Sequence, residues 1–407
     1  MASQNKSNFI KLCYKTFHKI RKNNQDFKKG LFMSIKKPSS HSHLEEIVPY
    51  QAGKPIEELA REKGLKTISK LASNENPLGP SKKSIEAIEK NLCNLNRYPD
   101  MNGYDLKKEL SNHHKIPSEK IILGSGSEGV MTYIAKAFLG AGDEVITSSN
   151  SFIGFYIIAK ASGANLKLIA PKKSNQFDME TIEKSITPKT KLIYLANPNN
   201  PTGTIITKHE FEMLLKKCPP NILIIMDEAY FEYAEDYKEY PNSLDYDYPN
   251  IITLRTFSKA YGLASLRVGY GIASPEIVTT LAKVKPPFEP NLLGQVAACE
   301  ALKDHEHIKK GIIENKTEYE RLFKYLVDKK LSPIPSFTNF VTFYTKTGEN
   351  SDWLFNQLLN QGVIIRKLGA NNMHDFIRVS IGTKEEMDHF YESFDKISDE
   401  FLKKMKG

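Results

Sequence analysis

Four short strings in this chain hold side chains able to do chemistry on an amine. The first is Thr256-Phe257-Ser258-Lys259, which closes the apolar run Ile251-Ile252-Thr253-Leu254 and is followed eight residues later by Arg267. A lysine at the end of a buried strand loses water. Beside a second cation its proton is held less tightly, and it becomes a Schiff-base nucleophile. The plainer reading is a solvated loop lysine. The second string places Asp227 directly after Ile224-Ile225-Met226, with Tyr230 three residues on. A carboxylate behind three such residues needs a partner. The N–H of a pyridinium ring would serve, and that pairing makes the ring an electron sink; an Asp turn or cap is the alternative. The third string is Asn197-Pro198-Asn199-Asn200-Pro201-Thr202-Gly203, either a rigid turn or a loop that offers the Asn200 amide to a ligand hydroxyl. The fourth is Gly124-Ser125-Gly126-Ser127-Glu128-Gly129. Glycines ahead of a helix let the backbone approach an anion, and the free N–H groups of a helix start suit a phosphate. Gly-rich turns also arise for structural reasons alone. This string matches neither G-x-x-x-x-G-K-[ST] nor a full G-x-G-x-x-G, so it does not indicate a nucleotide.

These strings need a scaffold that brings loop ends together, and the pattern supplies one. Strands are expected near 121–123, 144–147, 166–169, 192–195, 222–226, 251–254 and 268–272. Helices are expected near 127–139, 153–162, 179–185, 208–217 and 275–284. Such alternation predicts a mainly parallel sheet with right-handed crossovers, its ligands lying beyond the carboxyl ends of the strands. Thr207 with Glu210 and Thr383 with Glu386 have capping-box spacing. Pro55 reads as the first residue of a helix ending at Gly64. Helices at 81–94, 104–114, 292–303 and 306–330 and strands at 340–344, 363–366 and 377–381 complete the reading. The fold class is therefore α/β: a large domain with a mostly parallel seven-stranded sheet flanked by helices, and a smaller α+β domain built from both chain ends. The expected limits are an arm at 1–37, an N-terminal segment of the small domain at 38–75, a large domain at 76–315 and the rest of the small domain at 316–407.

The chain of 407 residues carries a net charge of +9. Residues 1–37 hold ten Lys or Arg and one acid, Asp26, so the whole surplus lies in that arm and the remainder is balanced. The folded body therefore has no basic surplus for nucleic acid to recognise. The arm reads as a disordered basic tail; an acid-poor transit peptide and a membrane-surface arm are the other readings, and Met33 is a candidate internal start. Cys13, Cys93, Cys218 and Cys299 form no C-x-x-C pair, which suits a reducing, cytoplasmic setting and implies no metal. No apolar run approaches the ~20 residues that span a bilayer.

Taken in order, at 27, 32 and 8 residues between Asn200, Asp227, Lys259 and Arg267, the strings resemble the pyridoxal 5'-phosphate (PLP) aminotransferases of fold type I over about residues 45–400. The resemblance implies that Lys259 holds the cofactor through a Schiff base and moves the proton, that Asp227 meets the pyridine nitrogen, and that Asn200 and Tyr230 contact its phenolic oxygen. It gives Gly126, Ser127, Glu128, Thr256, Ser258 and Arg267 to the phosphate cup and Phe152 to ring stacking. Tyr98 is assigned to the cofactor phosphate of a neighbouring subunit, and so a homodimer is implied. The segments Tyr50-Gln51-Ala52-Gly53-Lys54-Pro55, Asn96-Arg97-Tyr98-Pro99-Asp100 and Arg378-Val379-Ser380-Ile381-Gly382-Thr383 further resemble the histidinol-phosphate aminotransferases. Those enzymes exchange an amino group between L-histidinol phosphate and 2-oxoglutarate in histidine biosynthesis. One cationic site must then accept a phosphate and a carboxylate in turn. Arg378 is the expected centre of it, with Arg366 and the partner's Tyr50 as helpers. The sequence departs from that pattern at Asn150-Ser151-Phe152, which lacks a proline, at Ser265, where glycine is usual, and at Glu128-Gly129 in the phosphate loop. Aromatic amino acid aminotransferases and threonine-phosphate decarboxylases share the same motifs and are the rival readings. A non-enzymatic regulator would need a DNA-binding module that the arm is too short to hold.

Overall fold

Seven aliphatic runs between residues 121 and 272 form the strands of one sheet. In chain order, after a two-residue strand β1 (Ser69–Lys70), they are β2 (Ile121–Ser125), β3 (Glu144–Ser148), β4 (Asn165–Ile169), β5 (Thr190–Ala196), β6 (Leu223–Asp227), β7 (Ile251–Thr256) and β8 (Val268–Ile272). Their spatial order is β2-β8-β7-β6-β5-β3-β4. All neighbours run parallel except at β8, which is antiparallel to both β2 and β7. This computed structural model describes residues 39–49 and 53–406. The arm 1–37, its Met33 and Tyr50 lie outside the described residues. Residues 1–46 and 47–407 are separate units, and in the first the described residues carry one 3-10 turn, Ser42–Leu44.

Side-chain alternation gives the sheet two cores. From β5 and β6, Leu192, Tyr194, Ala196, Leu223 and Ile225 pack on one face with the helices Gly126–Phe138 and Ile153–Ala161. Ile193, Leu195, Ile224 and Met226 pack on the other with the helix Lys208–Lys217. Strands covered on both faces must be apolar on both, hence the unbroken aliphatic runs. The expected capping box at Thr207 and Glu210 starts that last helix. Thr383 and Glu386 exchange the same pair of bonds at the start of the helix Lys384–Lys406.

A second sheet is built from β9 (Pro333–Ile334), β10 (Phe340–Tyr344), β12 (Arg366–Leu368) and β13 (Met373–Ser380), ordered β12-β13-β10-β9, while β11 (Val363–Ile364) pairs in parallel with β1. The single strand expected at 363–366 is thus two: its first half joins the residue 69–70 segment and its second half joins β13. The helix Gly348–Asn360 has no counterpart in the sequence reading. Pro55 caps the helix Ile56–Lys63 from outside rather than opening it, and Gly64 closes it in the left-handed region at φ 66°.

Candidate active site

The carboxyl ends of β5, β6 and β7 deliver Asn200, Asp227 and Thr256 to one cavity of about 380 Å³, and the loops beyond them add the remainder. Its lining includes Ser127, Glu128, Phe152, Tyr230, Ser258, Lys259 and Arg267. Larger cavities among the described residues, of about 400, 570 and 670 Å³, contain neither the lysine nor the buried aspartate.

Asp227 is only 5% exposed. Its Oδ2 accepts the Tyr194 hydroxyl at 2.5 Å, and its Oδ1 is buried with no hydrogen-bond partner. Burial pushes this carboxyl up to about 6, against the pull of the Tyr194 hydroxyl. Tyr194 is itself held flat against Phe155, ring centroids 3.9 Å apart and planes within 8°. Sequence reasoning missed Tyr194. The signal was present: one phenol in an otherwise aliphatic strand needs a partner for its hydroxyl.

Lys259 donates to the Ser73 carbonyl at 3.1 Å and lies 5.8 Å from the centre of the Tyr230 ring. Desolvation first, then the positive charges of Arg378 and Arg267, bring its ammonium down to about 8. A sizeable neutral fraction therefore exists near neutral pH, as a nucleophile requires. The Tyr230 hydroxyl accepts from Asn74 Nδ2 at 2.8 Å, and Asn74 is in turn bonded to Ser380. Asn74 is a second residue the sequence reading left unassigned.

One end of the cavity is made for an anion. Gly126 opens the helix Gly126–Phe138 at φ 74°, and a Cβ there would lie 2.8 Å from Arg267 Nη2. A Cβ on Gly269 would lie 2.4 Å from the Ser127 amide, so that glycine lets the helix start sit against β8. Arg267 Nη1 reaches Ser258 Oγ at 3.3 Å, and the Thr256 and Ser258 hydroxyls are 3.1 Å apart. The residues expected to form a phosphate cup lie together at this end, with one further contact. The Glu128 side chain itself sits on Arg267 at 3.0 Å, both about half exposed. An exposed pair of this kind contributes about 0–1 kcal/mol, so a dianion would displace it. Phe152 reaches the cavity because Gly154 leaves it room; a Cβ on Gly154 would meet the Phe152 ring at 2.6 Å.

Arg378 borders this site from β13. It donates to Asn200 Oδ1 and, at 2.8 Å, to the Ala72 carbonyl, and its guanidinium lies 5.0 Å from the Phe340 ring centre. Arg366 is its direct register partner on β12. Like charges placed opposite each other on one sheet face repel, and an anion relieves that repulsion. Arg366 lines the cavity of about 670 Å³, with Lys54, Lys367 and His374, rather than the one holding Lys259. Tyr98 is not at the cavity: it is 79% exposed and stacks on Phe288, centroids 4.2 Å apart.

The donor set has clear requirements. A buried carboxylate oxygen lacking a partner calls for an N–H, and the Arg267 end calls for a dianion. The lysine between them calls for a carbonyl. A flat ring bearing a phosphate, an aldehyde and a ring nitrogen meets all three. The profile described as aminotransferase class I and II matches residues 66–394. The chain belongs to the class I and II aminotransferase family. It is 44% identical over 358 residues to histidinol-phosphate aminotransferase 2 of Hydrogenovibrio crunogenus, covering 87% of this chain and 95% of that one. It is 39% identical to histidinol-phosphate aminotransferase 1 of Idiomarina loihiensis, covering 87% and 96%. The crystal structure of histidinol-phosphate aminotransferase from Sinorhizobium meliloti in complex with pyridoxal-5'-phosphate superposes with a TM-score of 0.82 at 27% identity, over 90% of this chain and 99% of that one. An aspartate aminotransferase of Thermus thermophilus, 20% identical with a TM-score of 0.77, shares the fold. No helix among the described residues of this aminotransferase is long and apolar enough to cross a membrane.

Proposed function

We propose that this aminotransferase uses PLP to interconvert L-histidinol phosphate and 2-oxoglutarate with imidazole acetol phosphate and L-glutamate, a cytoplasmic step of histidine biosynthesis. The observation that carries the reading is the buried, unpartnered Asp227 Oδ1 facing the same cavity as Lys259 and Arg267. Relatives bearing that activity at 39–44% identity support the choice of substrate. When bound, the cofactor supplies an electron sink for negative charge at the donor carbon.

The residues of the chain do the rest. Tyr194 fixes Asp227 Oδ2, and Asp227 Oδ1 would accept the ring N–H of the bound cofactor. Arg267, Ser258, Thr256 and the helix-start amides near Gly126, Ser127 and Glu128 hold the phosphate. Phe152 covers one face of the ring. Asn200, whose Oδ1 is taken by Arg378, presents its amide nitrogen, and together with Tyr230 it contacts the phenolic oxygen. Lys259, anchored on the Ser73 carbonyl, gives and takes a proton at the donor carbon. Arg378 binds the donor's distal anion, a phosphate in one half-reaction and a carboxylate in the other, with Arg366 beside it.

The second subunit belongs to the same proposal. Leu92, Leu95, Tyr98, Met101 and Tyr104, all between residues 92 and 104, are exposed, with Leu95 60% and Tyr104 70% exposed. Apolar exposure on this scale marks an interface. A homodimer would cover it and carry Tyr98 and Tyr50 to the neighbouring site. The large PLP-binding domain is taken as 76–315 and the small domain as 38–75 with 316–407.

The purified protein should absorb in the visible, and borohydride should abolish that band; a colourless protein that takes up no added PLP overturns the cofactor assignment. With 2-oxoglutarate as acceptor, histidinol phosphate should have the highest kcat/KM in a donor panel. A clear preference for phenylalanine or tyrosine would overturn the substrate.

A further inference from the structure

Directly behind Asp227 the structure buries a second pair of charges that the reaction steps above do not use. The side chains of Glu228 and Arg255 are 0% and 3% exposed. Arg255 Nε and Nη2 both donate to Glu228 Oε2, at 3.0 and 2.8 Å, and Nη2 also donates to Asn242 Oδ1 at 2.8 Å. Glu228 Oε1 accepts the Ser243 amide at 2.9 Å. The guanidinium carbon lies 3.4 Å from the centre of the Phe231 ring. In the sheet, Asp227 is paired with Leu254, and the Glu228 amide donates to the Leu254 carbonyl. The ion pair therefore sits just past Asp227, the last residue of β6, and one step before Thr256 on β7.

Burying two charges is costly, and a well-packed apolar pair is often as stable. The location offers a reason to keep them. Glu228 is the residue next to Asp227, and its negative charge opposes ionisation of that carboxyl. Arg255 stands against Glu228. The other charged or titratable groups acting on Asp227 are Tyr194 from β5 and Glu128 from the helix Gly126–Phe138. Those acting with Glu228 on Arg255 are Glu232 and, across the ladder on β8, Tyr270. His113 and His114 also feel the Arg255 charge, which disfavours their protonation.

We propose that the Glu228–Arg255 pair is a positioning device for Asp227: the two-pronged clamp fixes the strand ends that carry Asp227 and Thr256, and Arg255 cancels the field of Glu228 at the ring-binding carboxylate. The inference rests on the reading that Asp227 meets the ring nitrogen of PLP.

The test uses the PLP-loaded protein and three variants: Glu228→Gln, Arg255→Met and the double substitution. The pH midpoint of the visible absorption band is read alongside PLP affinity by absorbance titration. In Glu228→Gln an uncancelled guanidinium remains that cannot discharge, and the midpoint should fall by about one pH unit. In Arg255→Met an uncancelled carboxylate remains, and the midpoint should rise by about half a unit. The double variant should return to within about 0.3 unit of the wild type. Shifts of opposite sign are the mark of a field at the ring. A pair that merely holds the fold would weaken PLP binding in both single variants and leave the midpoint where it was, and that result overturns the proposal. Should Arg255→Met not fold, an unmoved midpoint in Glu228→Gln is enough to overturn it. A wild-type protein that takes up no PLP sinks the cofactor reading instead, a result plainly different from an unmoved midpoint.

Discussion

Replacing Asp227 by Asn should make the cofactor-free protein more stable at pH 8 and the cofactor harder to hold. The carboxyl is 5% exposed, accepts the Tyr194 hydroxyl and is also favoured by the Ala229 amide, and burial still pushes it up to about 6 from 3.8. Its folded-state value is raised, so the folded protein favours the protonated acid. The penalty is absent below the unfolded value of 3.8, grows as pH rises from there to about 6, and is complete above it. A shift of roughly two units corresponds to about 3 kcal/mol. Asn keeps an oxygen for the Tyr194 hydroxyl but adds a buried amide with no partner, which takes back about 1 kcal/mol. The expected net gain is about 2 kcal/mol at pH 8, shrinking toward zero by pH 5 as the wild-type carboxyl takes up its proton. Loss of a charge-assisted hydrogen bond of about 1.5–3 kcal/mol should weaken PLP binding roughly 10–100-fold. Urea unfolding of the two cofactor-free proteins at pH 5 and pH 8, with PLP titration by absorbance, measures both. An Asn variant less stable than wild type at pH 8, or an advantage that is larger at pH 5, would refute the account of a carboxylate buried in wait for a donor.

Tyr194→Phe removes the one hydroxyl on that carboxylate; PLP affinity should fall about 5–10-fold, in keeping with a net hydrogen bond of ~1 kcal/mol, measured by the same titration. The rate of PLP capture should climb with pH through a midpoint near 8, where Lys259 becomes neutral, in stopped-flow absorbance. Arg378→Lys should leave the visible band intact yet raise KM for both 2-oxoglutarate and the amino donor by about tenfold or more, because an ammonium cannot bind either anion in the forked manner of a guanidinium.

Much of the site was legible because its candidate residues sit at or just past strand ends. Ile224-Ile225-Met226 can only be a buried strand, so an aspartate next in line had to be buried and in need of a partner. The Thr256–Lys259 and Gly124–Gly129 strings were legible in the same way, through hydroxyls, glycines and charge at strand-to-loop junctions. What local pattern does not show is which residues meet across a sheet. Tyr194 meets Asp227 only because β5 and β6 are adjacent and in a particular register. Arg366 faces Arg378 only because the run at 363–366 breaks at Ile365 and its two halves join different sheets. Local pattern gives no hint of such a break at the end of the run Val363-Ile364-Ile365. The helix Gly348–Asn360 begins with the weak helix formers Gly348, Asn350 and Ser351 in its first turn; the Thr347 cap on the Asn350 amide and burial of Leu354 and Leu358 overcome that weakness.

The segment from Ala72 to Asn74 lies between elements made at opposite times. Ser73 anchors Lys259 and Asn74 anchors Tyr230, yet the segment is itself held by Asn339, Arg378 and Ser380. A ribosome that has finished the seven-stranded sheet has still not made those three clamps. On a growing chain, Lys259 would be present for about 120 residues of synthesis before the last of these clamps, Ser380, is made. Cofactor capture is thereby tied to completion of the polypeptide, and a nascent or prematurely terminated chain would carry the reactive lysine without the frame that aims it.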